Sequence, residues 1–166
     1  MTTPVPTGEI VEGSRGRELR LSRRLDADIH DVWAWMTESD RLEEWIGRWQ
    51  GDPTSGQLTF FMTAEGDDVP GEEVTIRACD PPHRYSVDTS VGENVWRLRL
   101  ELADDGGATT VQFSQVIGAD DVGSVGPGWE YYLDRLTAAI DGTTPSAIDF
   151  DEYFPAMQSY YRDLLT

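Results

Sequence analysis

Gly126-Pro127-Gly128-Trp129-Glu130-Tyr131-Tyr132-Leu133-Asp134-Arg135-Leu136-Thr137-Ala138-Ala139-Ile140 decides how the rest of the chain is read. Trp129, Tyr132, Leu133, Leu136 and Ile140 recur at helical spacing and form one apolar stripe. Glu130, Asp134 and Arg135 fall off it. Pro127 suits a first helical turn, where its missing N–H is not needed, and Gly142 suits the position just past the last turn. The spacing predicts a long helix that turns one face toward whatever precedes it.

What precedes it reads as strands. The clearest is Val95–Ala103, where Trp96, Leu98, Leu100 and Leu102 alternate with Arg97, Arg99 and Glu101. One face is buried and the other wet, as in an antiparallel sheet covered on one side. Asp104-Asp105-Gly106-Gly107 is a hairpin turn. Thr109–Ile117 returns from it with Val111, Phe113, Gln115 and Ile117 on one face. Upstream, Gln57–Thr63, Val69–Cys79 and Arg84–Thr89 are strands, with Val74, Ile76 and Ala78 sharing a face of the second. Turn signals at Glu65-Gly66-Asp67-Asp68, Asp80-Pro81-Pro82 and Gly92-Glu93-Asn94 separate them. Glu18–Arg23 is a first strand with Leu19 and Leu21 inward. Two short helices follow it, one carrying Ile29, Val32, Trp33 and Met36, the other Leu42, Trp45 and Ile46. Gly47–Gly56 reads as a loop.

This order, with no alternation of parallel strands and helices, predicts an α+β fold. A curved antiparallel sheet wraps around the long C-terminal helix, with two short helices after the first strand. Residues 1–16 are expected as a flexible segment, 17–142 as the domain, and 143–166 as a linker and C-terminal helical extension. In the extension, Phe150, Tyr153, Phe154, Met157, Tyr160, Tyr161 and Leu164 recur at helical spacing around Pro155. So many large apolar residues need cover, either from their own domain or from a second copy in a homodimer.

The formal net charge is −18, and all thirteen basic residues are arginine. Such acidity argues against nucleic acid and anionic membrane surfaces as partners. No apolar run reaches transmembrane length and no basic-then-apolar signal opens the sequence, so a cytoplasmic setting is expected. The single cysteine, Cys79, reads as a small buried thiol. No phosphate loop, dinucleotide fingerprint or metal-ligand spacing occurs, so neither cofactor nor metal is expected. His30 and His83 lie far apart and read as exposed polar residues. Asp67-Asp68, Asp104-Asp105 and Asp120-Asp121 fall in turns and read as solvated. No residue is assigned a catalytic role.

The informative positions face the long helix. The sheet offers Tyr85, Trp96, Leu98, Phe113 and Gln115, and the helix offers Trp129, Tyr132, Leu133 and Leu136. Rigid rings leave gaps on a concave surface that flexible aliphatics would fill. A mostly apolar cavity on the order of a few hundred cubic ångströms is therefore expected between Phe113 and Trp129. Gln115, pointing inward by parity, needs a partner such as Tyr132, Tyr85, a water or a ligand. Arg23 faces inward if it keeps the parity of Leu19 and Leu21, or reaches water as a strand end.

Taken together, Arg24-Leu25-Asp26-Ala27, Val32-Trp33, Trp45, Asp80-Pro81-Pro82-His83-Arg84 and Gly128-Trp129-Glu130 with Leu133 and Leu136 resemble the START-like helix-grip superfamily, also called SRPBCC. Within it the chain resembles the bacterial family related to the C-terminal domain of the activator of heat shock protein 90 ATPase. The resemblance spans roughly Glu18 to Gly142. It implies a cavity between sheet and helix of the kind the superfamily uses for lipids, sterols, polyketides or plant hormones. The function expected is non-enzymatic binding of a small hydrophobic or amphipathic molecule. The alternatives are a polyketide cyclase or aromatase-like enzyme and a co-chaperone-like protein-interaction domain.

Overall fold

The computed structural model describes residues 3–66, 68–118 and 121–165; Asp67 and Asp120, expected in turns, lie outside them. The elements run β1 (Glu9–Gly13), β2 (Gly16–Leu25), α1 (Ile29–Thr37), α2 (Ser39–Leu42), β3 (Arg48–Gln50), β4 (Gln57–Phe61), β5 (Glu72–Asp80), β6 (Arg84–Val91), β7 (Asn94–Asp105), β8 (Ala108–Val116), α3 (Val122–Asp141) and α4 (Gln158–Asp163), with short 3-10 turns between some of them. The eight strands form one antiparallel sheet in the order β1-β2-β8-β7-β6-β5-β4-β3. The long helix α3 lies across its inner face, and the arrangement is the expected α+β helix-grip fold.

The alternation of β7 holds. Leu98, Leu100 and Leu102 are buried, Arg97 points out, and Arg99 and Glu101 are half-buried on the outer side. A slip of one residue would drive those charges inward, a cost far above any turn preference. The β7–β8 hairpin closes through Gly106 and Gly107, both at positive φ, which the twist of a two-residue hairpin loop demands.

Three expectations about element extent are corrected. Residues 9–13, expected in a flexible segment, form β1 and pair with the first half of β2; Ile10, packed against the core, supplies an apolar contact that a composition reading overlooks. Part of the expected Gly47–Gly56 loop is β3, a short edge strand that pairs Arg48 with Phe61. The long helix starts at Val122, a full turn before Pro127. Asp121 caps it by accepting from the Gly123 N–H at 3.1 Å, which leaves Pro127 inside the helix.

The helix is also buried on the side away from its apolar stripe. Glu130 is fully buried and Arg135 nearly so. The C-terminal extension and the segment before β1 cover that side. Tyr153, Met157 and Tyr161 are buried there within their own chain. Arg23 does keep the inward parity. Its Nη2 reaches Glu130 Oε1 at 2.8 Å and its Nε reaches Asp134 Oδ1 at 2.9 Å. Burial lowers the guanidinium pKa, but Glu130 and Asp134 outweigh it and the net shift is upward. Tyr161 donates to Glu130 Oε2 at 2.5 Å, Tyr153 donates to Asp134 Oδ2 at 2.7 Å, and Thr7 donates to Glu130 through both its amide and its hydroxyl. A buried ion pair tolerates its desolvation when the remaining lone pairs are satisfied, and these partners satisfy them.

Candidate functional site

Between α3 and the β4–β8 part of the sheet lies a cavity of about 690 Å³. Each wall follows from an alternating strand. Leu58 and Phe60 come from β4, Val74 and Ile76 from β5, Tyr85, Val87 and Val91 from β6, and Trp96, Leu98 and Leu100 from β7. The helix closes the top with Val125, Gly128, Trp129, Tyr132 and Leu133, and the short-helix corner closes one end with Met36, Leu42, Trp45 and Ile46. Trp45 is held there by its indole N–H on the Trp35 carbonyl at 2.9 Å. Its own carbonyl accepts from Arg135 Nε of the long helix at 2.8 Å. The two halves of the sheet differ. On β2 and the adjoining stretch of β8, Leu19, Leu21, Leu25 and Val111 pack into a closed core; the opening lies on the β3–β7 side and touches β8 at Phe113.

Of the nine residues singled out from the sequence, Tyr85, Trp96, Leu98, Phe113, Trp129, Tyr132 and Leu133 line this cavity, and Gln115 and Leu136 do not. Leu136, fully buried, belongs to the closed core. Gln115 points inward and is fully buried, but its Oε1 accepts the indole N–H of Trp129 at 2.8 Å. That bond draws Trp129 onto Phe113, with ring centroids 4.1 Å apart. The space expected between these two rings is therefore filled, and the cavity lies beside them.

The polar groups of the lining are few. Tyr85 donates to the Met36 carbonyl at 3.1 Å and packs edge-on against Trp33. Burial pushes its phenol pKa up, with Cys79 adding to the shift. Tyr132 donates to Glu65 Oε2 at 3.2 Å, bridging the helix to the loop after β4. Its pKa is raised by burial and then by the Glu65 charge. Glu72 lines the wall near Glu65, and burial followed by that neighbouring charge holds its carboxyl above the ordinary value.

Cys79 corrects another expectation, since it is exposed at the cavity margin rather than buried. A bulge between Ile76 and Ala78 shifts the parity of β5, so Ala78 turns outward and Cys79 takes the cavity side. Partial burial and Asp80 raise its thiol pKa. Sequence reasoning also missed the contribution of β4 to the walls, because the run Leu58-Thr59-Phe60-Phe61-Met62 blurs the alternation that assigns faces; on β5 it read the shared face of Val74 and Ile76 but did not assign that face to the cavity. His30 and His83 are exposed and do not line the cavity. No helix among the described residues is long and apolar enough to cross a membrane.

Comparison with known proteins agrees with this architecture. CalU16 from Micromonospora echinospora is 21% identical in its crystal structure and superposes with a TM-score of 0.72 over 97% of each chain. A conserved protein of unknown function from Enterococcus faecalis is 17% identical, with a TM-score of 0.70 over 95% of this chain and 90% of that one. DynU16, described as a protein in the dynemicin biosynthetic locus, is 17% identical, with a TM-score of 0.60 over 78% of this chain and 49% of that one. At such identities the likeness is one of fold. No curated protein matches the sequence significantly. The family model described as Activator of Hsp90 ATPase homolog 1-like protein matches residues 26–141, which span the sequence from the end of β2 to the end of α3. The chain therefore belongs to that family of the START-like superfamily.

Proposed function

We propose that this protein binds a small hydrophobic or amphipathic molecule, in a cytoplasmic setting, between α3 and the β4–β8 part of the sheet. One observation carries the reading: a cavity of about 690 Å³ walled mainly by aliphatic and aromatic side chains. Small-molecule sites have this size and this balance of apolar wall to a few polar groups. An adaptor acting only through its surface has no need of such a space, since filling it with side chains would stabilise the fold. The test uses the neutral dye N-phenyl-1-naphthylamine. Saturable binding with quenching of tryptophan fluorescence is expected, because Trp96 and Trp129 line the space. Val87→Trp, which fills it, should weaken binding at least tenfold. A folded protein that shows no saturable uptake of the dye rules the reading out.

A cyclase or aromatase-like enzyme is the second reading, and Glu72 is the observation in its favour. It lines the cavity with its carboxyl held above the ordinary value, the kind of group that general acid–base work requires. An enzyme returns its bound ligand altered and loses that ability in Glu72→Gln. A binder returns the ligand unchanged.

A further inference from the structure

The charged groups of the lining are all of one sign. Glu38, Glu65 and Glu72 line the cavity, and no arginine or histidine among the described residues does so. The sequence has no lysine to supply the missing charge. The remaining polar side chains there carry hydroxyl, thiol or indole groups. They include Thr37, Thr89, Ser124 and Tyr132, none of which can neutralise an anion.

The position of the carboxylates matters as much as their sign. Glu38 and Glu65 are exposed and Glu72 is half-buried, whereas the aliphatic floor of Leu98 and Leu100 is buried. The acidic groups therefore stand at the mouth and the apolar walls lie behind them. Glu65 and Glu72 are close enough for the charge of one to raise the other's pKa. The Tyr132 hydroxyl occupies only one side of Glu65, leaving the rest of that carboxylate able to accept. A cation placed at the mouth would offset the repulsion between the two glutamates, and an anion would add to it.

Resting on the ligand-binding reading above, we infer that the cavity selects an amphipathic amine: an apolar body inside and a protonated or quaternary nitrogen at the Glu65–Glu72 mouth. Ligands with a free carboxylate, sulfate or phosphate are disfavoured. This narrows the ligand class from apolar molecules in general to cationic ones, with neutral ones tolerated.

The experiment titrates three probes of one chain length into the full-length protein at neutral pH: decyltrimethylammonium, decanol and decanoate. The ammonium should bind on the order of tenfold tighter than decanol, and decanoate on the order of tenfold weaker. Raising the salt concentration should erode the ammonium preference and leave decanol nearly unaffected. The protein as a whole is strongly acidic, so a general surface effect must be separated. Glu65→Gln/Glu72→Gln should bring the ammonium-to-decanol ratio near one. Glu9→Gln/Glu12→Gln, which removes the same charge from the distant strand β1, should leave the ratio as it was. Glu72→Gln alone, which keeps the Tyr132–Glu65 bond, should move the ratio part of the way. Decanol binding with no ammonium preference, or a preference that the β1 variant erodes equally, overturns the inference and leaves the binding reading standing. Failure of all three probes to bind overturns both.

Discussion

The phenol of Tyr161 donates to Glu130 across 2.5 Å, and neither side chain is reached by solvent. Glu130 also receives Arg23, so the two contacts test different things. Glu130→Gln leaves the half-buried Arg23 with Asp134 still as a partner but turns a neutral amide toward it and toward the Thr7 and Tyr161 donors, and should destabilise by about 3–5 kcal/mol. Tyr161→Phe removes one donor from a carboxylate that keeps others and should cost about 1–3 kcal/mol. Urea unfolding of both variants and the double mutant gives the coupling. Equal costs for the two would show that the ion pair contributes no more than the hydroxyl.

Gly126 and Gly128 sit in the same helix and should respond with opposite signs. A Cβ on Gly126 would stand 2.4 Å from Cγ of Tyr161, whereas one on Gly128 meets nothing within 4 Å. Gly128→Ala should stabilise by up to about 1 kcal/mol, the ordinary helix preference. Gly126→Ala should destabilise by about 1–3 kcal/mol through overpacking. Thermal melts decide, and a stabilising Gly126→Ala would mean that Tyr161 does not pack where it is described.

Gln115→Leu removes the acceptor of the Trp129 indole N–H, and about 1–3 kcal/mol should be lost. The emission of Trp129 should shift because its ring is no longer tied to β8. If neither stability nor emission changes, the amide does not position the ring.

Removing the extension after Gly142 should lower the denaturation midpoint equally at low and high protein concentration, since Tyr153, Met157 and Tyr161 are buried against their own domain. A homodimer through the extension, for which Phe150, Tyr160 and Leu165 remain exposed, would instead make the loss grow with concentration. Sedimentation of the intact chain separates the two outcomes.

Glu72 gives a pH dependence of definite sign. Its folded-state pKa is raised, by burial and then by Glu65, so the folded state holds the proton more tightly than the unfolded one. The favourable contribution is fully present below the ordinary glutamate pKa and is lost as pH rises through the raised value. Glu72→Gln should therefore raise the Tm modestly at neutral pH, with the gain vanishing below about pH 4. A lower Tm at neutral pH would show that the carboxylate is stabilised where it stands.

The fold was legible wherever one side of an element is wet. Leu98, Leu100 and Leu102 could be placed because Arg97, Arg99 and Glu101 stand between them. Glu130 could not be, since a carboxylate off the stripe of an amphipathic helix normally faces solvent. Its burial depends on Thr7 and Tyr161, which are far away in sequence. Gly126-Pro127 looked like a helix start for the same reason. Local preference favours that reading, and the actual demand on Gly126 comes from a ring at position 161. For the cavity, parity identified its aromatic half. The β5 bulge that turns Cys79 toward it, and the carboxylates at its mouth, follow from register and loop placement rather than from any periodic pattern.

Tyr161 is flanked by Gly8 on one side and Gly126 on the other, and its hydroxyl accepts from the Gly8 amide across 153 residues. During synthesis a ribosome releases Gly8 long before Tyr161 exists. Until the last helix emerges, the nascent sheet and α3 would hold Glu130 and Arg23 in a half-covered groove, with the space for Tyr161 open to water. Contacts of such long sequence separation are slow to form. The growing chain can therefore assemble its strands in order, but it cannot close its core until translation has passed residue 161.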